Sequence, residues 1–323
     1  MCTCITYKNS NFYFGRNLDL EYAFGQEVCI CPSNYVFKFN NGEIIDKHYA
    51  MIGVASKNDG FPLYAEATNE KGLSIAGLNF PNNAHYFDII DDKLNLAPYE
   101  FMVYILAKCQ SIKEARPYLE KLNIANIPYM NFGLSPLHFI LADRDECLTI
   151  EQTSDGLHIY DNPYGVLTNN PPFPYHLANL NNYANLSNKN VGGTFKDTLD
   201  LKFFAEGMGA IGLPGDYSST SRFIKTCFVK SNTICEPNEE SEVSAFFRIL
   251  DSVSMPRGSV IAKSGLPDIT FYTSCMNVDK GIYYYKTYDS QTISAINMFK
   301  EDLESDKLIF YPLETKMHIN YQN

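Results

Sequence analysis

The chain has 323 residues, of which 45% are hydrophobic and 20% are charged, and its formal net charge is −11 at pH 7. This acidic balance argues against nucleic acid and anionic membranes as partners, because both bind to basic surfaces. No run reaches the ~18 apolar residues of a membrane span. No linker, repeat or low-complexity block divides the sequence, so we expect one domain over residues 1–323.

The first twenty residues predict a β-hairpin. Residues 2–8 are β-prone, residues 8–11 form a polar turn signal, and residues 12–14 begin a second β-prone run. Two such runs joined by a short polar turn are typical of a hairpin.

Cys2 directly follows Met1, and the hairpin would carry Arg16 and Asp19 back beside it. Removal of Met1 would leave an α-amine and a thiol on one residue, and an N-terminal nucleophile can use its own amine as base. Arg16 would favour the thiolate, since a nearby cation lowers a thiol pKa. Asp19 would accept a hydrogen bond from the amine. A buried N-terminal strand with a surface Arg–Asp pair explains the same residues equally well.

Strand patterns dominate the rest of the first third. The predicted strands cover residues 28–31, 35–39, 49–55, 62–67 and 73–80, with turns at 58–60 and 69–72. Two helices follow. Pro98 suits a first-turn position and precedes apolar residues at helical spacing as far as Cys109. Ser111 and Glu114 form a capping-box pattern that opens the second helix, in which Pro117 should cause a kink or remove a hydrogen bond.

The second half returns to strands and adds two longer helices. The predicted strands are 137–142, 147–152, 157–160, 269–275, 282–288, 293–298 and 308–311, the helices are 219–230 and 241–253, and a loop over 171–198 contains a short helix near 175–180. The acidic run 236–242 suits a solvated helix start. This order of strands, helices, strands, helices and strands predicts an α+β fold rather than a doubly wound parallel sheet.

Three further polar residues are candidates for a catalytic site. Asn79 ends a predicted strand and Asn170 lies in the turn at 168–171. Each has a neutral amide that can donate to a developing oxyanion, although turn chemistry is the simpler explanation of Asn170 from the residues alone. Arg222 lies near a predicted helix start, where a cation opposes the helix dipole. That placement favours a functional role.

The nine cysteines, an odd number, predict reduced thiols in the cytoplasm. The N-terminus also lacks the basic and apolar regions of a secretory signal. Cys2 with Cys4 and Cys29 with Cys31 could hold zinc, because residues two apart in a strand share a face. A zinc-stabilised, cysteine-rich binding protein is therefore the alternative from a non-enzyme class. The six histidines show no ligand spacing.

Several motifs occur along the chain in the order found in one enzyme family. They are Met1-Cys2-Thr3, Phe14-Gly15-Arg16-Asn17-Leu18-Asp19, Asn69-Glu70-Lys71-Gly72-Leu73, Ala76-Gly77-Leu78-Asn79-Phe80, Leu167-Thr168-Asn169-Asn170-Pro171, Gly212-Leu213-Pro214-Gly215-Asp216, Ser221-Arg222-Phe223 and Lys280-Gly281-Ile282-Tyr283-Tyr284-Tyr285. With this ordered set the chain resembles the choloylglycine hydrolases, which comprise bile salt hydrolases and related penicillin V acylases.

The resemblance implies a four-layer αββα sandwich of two antiparallel sheets flanked by helices, the fold of N-terminal nucleophile hydrolases. It implies removal of Met1 and amide hydrolysis without cofactor or metal. The implied catalytic set is Cys2, Arg16, Asp19, Asn79, Asn170 and Arg222. Family members are often tetramers, so a homotetramer is expected.

The resemblance also implies a substrate class. Asn79 is similar to the bile-salt side of the family, which implies cleavage of glycine- or taurine-conjugated bile acids. A penicillin V acylase or another N-acyl amide hydrolase is the alternative. A steroid needs an apolar pocket with few polar anchors. Besides Asn79, the candidate substrate-binding residues are Leu18, Leu20, Phe24, Phe61 and Ala65.

Overall fold

The computed structural model describes residues 1–56, 60–130, 133–192, 199 and 201–323. Residues 58 and 59 of the predicted turn and residues 193–198 of the predicted loop lie outside these ranges. The strands are β1 Cys2–Lys8, β2 Phe12–Leu20, β3 Gln26–Cys31, β4 Phe37–Lys38, β5 Ile44–Ile45, β6 Met51–Ser56, β7 Leu63–Asn69, β8 Ser74–Asn79, β9 Leu94–Leu96, β10 Leu122–Ile124, β11 Leu137–Ala142, β12 Cys147–Thr153, β13 Gly156–Asp161, β14 Val166–Leu167, β15 Ile269–Asn277, β16 Ile282–Thr287, β17 Ser294–Asn297 and β18 Ile309–Pro312. The helices are α1 Pro98–Lys108, α2 Ile112–Lys121, α3 Phe173–Leu180, α4 Ser219–Asn232 and α5 Glu239–Asp251.

Two antiparallel sheets form the centre of the molecule. One has six strands in the order β14-β1-β2-β15-β16-β17, and the other has eight in the order β13-β12-β11-β8-β7-β6-β3-β18. Helices α4 and α5 pack on the six-stranded sheet, and α1 packs on the eight-stranded sheet. The prediction of an α+β fold with two antiparallel sheets flanked by helices is therefore confirmed.

Both faces of the eight-stranded sheet are buried, which gives the molecule two hydrophobic cores. On β3, Val28 and Ile30 belong to the first core, which includes the space between the sheets, whereas Cys29 and Cys31 belong to the second, under α1. Successive side chains of a strand point to opposite faces, so one strand supplies both cores. Across the described ranges, no helix is long and apolar enough to cross a bilayer.

The predicted N-terminal hairpin is confirmed, and its turn is held by a residue far along the chain. In β1 and β2, Cys2 lies opposite Leu18. Glu242, in the first turn of α5, accepts hydrogen bonds from the Ser10 backbone N–H at 2.8 Å and from the Tyr13 hydroxyl at 2.8 Å. Glu242 is fully buried. The expectation of a solvated acidic run was thus wrong at this residue, because the helix start packs against the hairpin turn.

Candidate active site

The N-terminal hairpin presents two different faces, and the candidate residues divide between them. Cys2 and Cys4 lie on one face of β1, directly opposite Leu18 and Arg16 of β2. Arg16 is therefore the diagonal neighbour of Cys2 on the same face, within reach of a long side chain. Asp19 lies on the other face, since residues an odd number apart alternate.

Arg16 is fully buried between the two sheets. Its Nη1 donates to the backbone carbonyls of Ala65 at 2.9 Å and Gly77 at 2.7 Å, both on the eight-stranded sheet. Nη2 has no partner among the residues that the structure describes. Burial lowers the pKa of Arg16, but the nearby Cys2, Tyr272 and Glu66 in their anionic forms outweigh burial. The pKa of Arg16 is therefore raised above its ordinary value. The guanidinium is therefore charged and has a free donor on the thiol face.

Asp19 lies on the helix-facing side of the hairpin with Arg222 of α4. Its Oδ1 accepts a hydrogen bond from the Thr270 hydroxyl at 2.6 Å, and its Oδ2 has no partner within the described part of the chain. Burial raises the pKa of Asp19, whereas Arg222 opposes that rise. Arg222 is itself buried, and burial lowers its pKa while Asp19 and Cys2 raise it. The two buried side chains thus lie on the same side of the hairpin, close enough for each to affect the pKa of the other.

Arg222 holds the first residues of β1 directly. Its Nη1 donates to the Cys2 carbonyl and, at 2.6 Å, to the Thr3 hydroxyl. Its Nε donates to the Tyr217 carbonyl at 3.0 Å. Arg222, the cation at the start of α4, therefore donates hydrogen bonds to the first residues of β1 rather than to solvent.

Asn169 was missed by the sequence interpretation, although it lies beside Asn170 in a turn that was singled out. Its Oδ1 accepts from the Cys2 backbone N–H at 2.9 Å and from Arg222 Nη2 at 2.7 Å. Its Nδ2 donates to the Asn79 carbonyl at 2.7 Å. One buried amide thus joins the nucleophile's backbone, the helix cation and the end of β8.

The turn that carries Asn169 and Asn170 is held by a buried histidine. His138 of β11 contacts the Thr168 carbonyl through Nε2 at 3.0 Å and Glu151 through Nδ1 at 2.9 Å. No ligand spacing marks this histidine in the sequence, and its role is seen only when β11 and the turn meet.

Asn79 and Asn170 are both at the edge of the site. Asn79 ends β8 and is exposed, and Asn170 is half-buried and donates through Nδ2 to the Pro81 carbonyl at 2.6 Å. An amide nitrogen has two N–H groups, so Asn170 retains a second donor. Both residues therefore offer neutral donors at the edge of the network that Asn169 connects to Cys2.

Met1 extends the β1–β2 ladder by one residue pair. Its amine donates to the Asp19 carbonyl at 2.5 Å, and the Asp19 N–H donates to the Met1 carbonyl at 2.9 Å. Asp268, which the sequence interpretation missed, places Oδ2 3.3 Å from the same amine. A cationic amine at this end of the strand therefore meets a carbonyl and a carboxylate.

The five candidate apolar residues do not form one group. Leu18, Leu20, Phe24 and Ala65 belong to or pack against the first core. Phe61 packs against the second core, where its ring lies 5.4 Å from Phe37 and from Tyr99 and 6.0 Å from Phe39. The structure therefore brings four of them to the first core, which also contains Cys2, and leaves Phe61 in a separate aromatic cluster.

The four cysteines of the zinc alternative do not come together. Cys2 and Cys4 line the first core, whereas Cys29 and Cys31 line the second, on the opposite face of the eight-stranded sheet. Within the described ranges, no group of three or more His, Cys, Asp or Glu residues could hold a metal ion. The proposed four-thiolate site was therefore wrong, because Cys29 and Cys31 share the face of β3 that points away from the core of Cys2 and Cys4.

Comparison with known proteins places this geometry in a family. The model for linear amide C–N hydrolases of the choloylglycine hydrolase family matches residues 2–311. The chain belongs to this family. It is an enzyme that hydrolyses linear amide C–N bonds, and the resemblance inferred from the ordered motifs is confirmed.

Individual choloylglycine hydrolases match the chain over its length. A "Bile salt hydrolase/transferase" of Lactiplantibacillus plantarum is 45% identical over 317 residues, which are 98% of each chain. A crystal structure of a mutant conjugated bile acid hydrolase from Clostridium perfringens is 36% identical, with a TM-score of 0.92 and complete coverage of both chains. Penicillin V acylase from Agrobacterium tumefaciens, 20% identical with a TM-score of 0.74 over 95% of this chain and 90% of that one, shares the fold.

Proposed function

We propose that this enzyme is a bile salt hydrolase, which cleaves the amide bond of glycine- or taurine-conjugated bile acids with Cys2 as N-terminal nucleophile. The observation that carries the proposal is the position of Cys2. It begins a buried strand, with Arg16 on its thiol face, Asn169 on its backbone N–H, Arg222 on its carbonyl and Asp19 paired with the preceding Met1. Full-length similarity to enzymes named for bile salt or bile acid hydrolysis supports the substrate class.

Removal of Met1 is the first step that we propose. It would open the ladder pair between Met1 and Asp19 and turn the Cys2 N–H, which already donates to Asn169, into a free α-amine. Asp19 Oδ2, which has no partner among the residues that the structure describes, is then available to accept from that amine. The amine takes the thiol proton, and Arg16 stabilises the thiolate as a neighbouring cation.

The thiolate then attacks the amide carbon. The carbonyl π electrons move to oxygen, and Asn79 and Asn170 donate to this oxyanion from the edge of the site. The tetrahedral intermediate collapses as the C–N bond breaks, and the α-ammonium protonates the leaving nitrogen of glycine or taurine. Water, deprotonated by the amine, attacks the thioester, and the returning proton restores the thiol as the bile acid leaves.

We assign the steroid to the apolar side of the site. Leu18, Leu20, Phe24 and Ala65 line or adjoin the first core, which also contains Cys2, and Asn79 is an exposed polar residue at the end of β8. An apolar wall with few polar anchors suits a steroid. Phe61 has a weaker claim to direct contact, because it packs with Phe37 and Tyr99 in the second core.

The test is product release from glycocholate, taurocholate and penicillin V, measured side by side with wild type and Cys2→Ala. Cys109→Ala is the matched control, because Cys109 is an equally buried thiol in the second core. The proposal predicts bile-acid release that Cys2→Ala abolishes and Cys109→Ala retains. Cleavage of penicillin V alone would show that the enzyme is a penicillin V acylase instead, with Cys2 still the nucleophile. Inactivity on all three substrates, from protein whose mass confirms loss of Met1, would contradict the proposal.

A second reaction follows from the same thioester. Several relatives are named bile salt hydrolase/transferase, and a thioester can be attacked by an amine as well as by water. We therefore expect new amide conjugates when the enzyme acts on glycocholate with an excess of another amino acid. Mass spectrometry should detect them with wild type and not with Cys2→Ala. Their absence at amino acid concentrations that leave hydrolysis intact would exclude acyl transfer.

We further propose a cytoplasmic homotetramer. All nine cysteines are free thiols, which suits a reducing compartment. A stretch of exposed apolar side chains can supply a contact between copies of the chain, and it contains Leu199, Leu201, Phe203, Phe204 and Ile211. Light scattering should give four chains per particle, and Phe204→Ser, at a side chain that is 89% exposed, should shift the protein towards smaller species. A monomeric wild type would contradict the tetramer.

A further inference from the structure

Glu66 is a buried carboxylate of β7 that reaches across to the other sheet. Its side chain is 2% exposed. The Tyr272 hydroxyl donates to Oε2 at 2.7 Å and the Tyr283 hydroxyl donates to Oε1 at 2.5 Å. These tyrosines lie on the adjacent strands β15 and β16 of the six-stranded sheet. Both carboxylate oxygens are therefore fixed from the sheet that carries Cys2.

Glu66 also balances the charge of Arg16 without accepting a hydrogen bond from the guanidinium. The distance from Arg16 Nε to Glu66 Oε2 is 3.9 Å, which is an ion pair but too long for a hydrogen bond. Two backbone carbonyls accept from Nη1 instead, and Nη2 has no partner within the described residues. A buried guanidinium needs a counter-charge. Glu66 supplies that charge from a position in which Arg16 Nη2 remains free among the described residues.

A β-bulge explains how β7 supplies two groups to Arg16 from consecutive residues. The pairing of β6 with β7 changes register between Val54 opposite Glu66 and Ala55 opposite Tyr64, so Ala65 has no ladder partner. Its carbonyl accepts from Arg16 Nη1 at 2.9 Å. Bulges beside active sites commonly redirect groups in this way. The Ala65 carbonyl holds the Arg16 guanidinium in position, and the Glu66 carboxylate balances its charge.

We propose that Glu66 is a positioning residue, which holds Arg16 beside Cys2 with Nη2 free and moderates the positive field that Arg16 exerts on the thiol. This inference rests on the proposed function only in that Cys2 is the nucleophile. A purely structural role, as a staple between the sheets, would involve the same tyrosines but would leave the reactivity of Cys2 unchanged.

The groups that face Glu66 come from several strands of the opposite sheet. Arg16 lies on β2, Tyr272 and Tyr283 on β15 and β16, and Cys4 on β1. Burial raises the pKa of Glu66, and Arg16 and the two tyrosines oppose that rise. Burial also raises the pKa of Cys4, which Arg16 lowers and Glu66 raises again. The charge of Glu66 is therefore felt at the Cys4 thiol, which lies on the same face of β1 as Cys2.

The experiment measures how fast iodoacetamide alkylates Cys2 across a range of pH, by mass spectrometry of the N-terminal peptide. Glu66→Gln keeps the size of the side chain and removes its charge, so the midpoint of the alkylation profile should fall by about one pH unit. Tyr283→Phe is the matched control, because it loses a hydrogen bond of the same cluster and keeps the charge. Its midpoint should stay at the wild-type value.

An unchanged or raised midpoint in folded Glu66→Gln would overturn the inference. If circular dichroism shows that Glu66→Gln does not fold, Glu66→Asp serves in its place. The shorter side chain draws the charge away from Arg16, and alkylation at a pH below the midpoint should rise about twofold; no rise overturns the inference. The assay needs no bile salt, so a shifted midpoint in an enzyme that cleaves no conjugate would refute the proposed substrate and retain the role of Glu66.

Discussion

Asn169 connects three parts of the candidate site through one side-chain amide. It accepts from the Cys2 N–H and from Arg222, and it donates to the carbonyl of Asn79. A buried donor or acceptor that loses its partner costs about 1–3 kcal/mol. Removing this amide strands two donors and one acceptor at once, so the geometry of Cys2 should depend on it strongly.

We predict that Asn169→Ala lowers kcat/KM for conjugated bile salts by roughly 100-fold, because a loss of about 3 kcal/mol in positioning corresponds to that factor. Steady-state kinetics on glycocholate would measure the change. Asn182→Ala is the control, at an exposed asparagine whose side chain donates to the Asn179 side chain of α3. A loss of less than threefold in folded Asn169→Ala would show that the amide does not position the nucleophile.

The sequence could indicate the turn at 168–171 but not which of its two asparagines faces inward. Asn169 is buried and Asn170 is only half-buried, and consecutive residues in a turn can exchange these roles with a small backbone rotation. Asp268 and Glu66 had no signal at all, because their partners lie on other strands. In the sequence, ionisable residues of this kind cannot be distinguished from surface residues until the arrangement of the strands is known.

Among the structural elements, the N-terminal hairpin depends on a contact with a residue far along the chain. Glu242 in the first turn of α5 fixes its turn and the Tyr13 hydroxyl. Burial raises the pKa of Glu242, but hydrogen bonds from Ser10, Asn11 and Tyr13 outweigh burial and hold the pKa at about 2. A carboxyl whose pKa is lower in the folded chain stabilises it above the unfolded pKa.

We predict that Glu242→Gln lowers the free energy of unfolding by about 3 kcal/mol at neutral pH, from a carboxyl pKa of 4.5 in the unfolded chain and about 2 in the folded one. The stabilising effect is complete above pH 4.5 and disappears as pH falls towards 2, so the difference between wild type and variant should narrow in acid. Urea unfolding at several pH values would measure it. Glu240→Gln, at an exposed neighbour, is the control. A difference that does not vary with pH would contradict the carboxylate's role.

Gly15 shows how closely β2 and β15 approach beside Arg16. A Cβ at this position would lie 2.1 Å from the Ser274 carbonyl oxygen, a backbone atom that cannot turn aside. We predict that Gly15→Ala destabilises the protein by roughly 2–4 kcal/mol and lowers activity by moving Arg16. Gly215→Ala is the matched control, because its Cβ would meet nothing within 4 Å. Thermal unfolding of both variants tests this, and equal melting temperatures would refute the close approach.

The long elements were predictable because their patterns are local. Strand alternation gave the hairpin, and the cap at Ser111, whose hydroxyl accepts from the Glu114 N–H at 3.4 Å, gave the start of α2. That helix continues past Pro117 to Lys121. The short parallel strands β9 and β10, of three residues each, were missed, since three residues carry no recognisable period.

Over the whole molecule, buried polar contacts tie the two sheets together. Arg16 of the six-stranded sheet donates to two carbonyls of the eight-stranded sheet, and Tyr272 donates to Glu66 across a separation of 206 residues. No local sequence pattern predicts such pairs. They were absent from the sequence interpretation even though both sheets were anticipated. Family resemblance supplied the catalytic set, which spacing alone could not.

We infer that residues 1–323 form one cooperative domain, because the two sheets share a core and these buried contacts. Unfolding followed by calorimetry and by the tyrosine near-ultraviolet signal should give one coincident transition. Two separated transitions, with one sheet lost before the other, would contradict a single domain.

The central claim is that Cys2, with its amine freed by loss of Met1, is the nucleophile. The most direct measurement follows inactivation by iodoacetamide while peptide mass spectrometry identifies the alkylated residue. We predict that activity on glycocholate falls in proportion to alkylation of Cys2, on a peptide that begins at Cys2, and that substrate slows both. Full activity in protein whose Cys2 is completely alkylated, or activity confined to chains that retain Met1, would contradict the account.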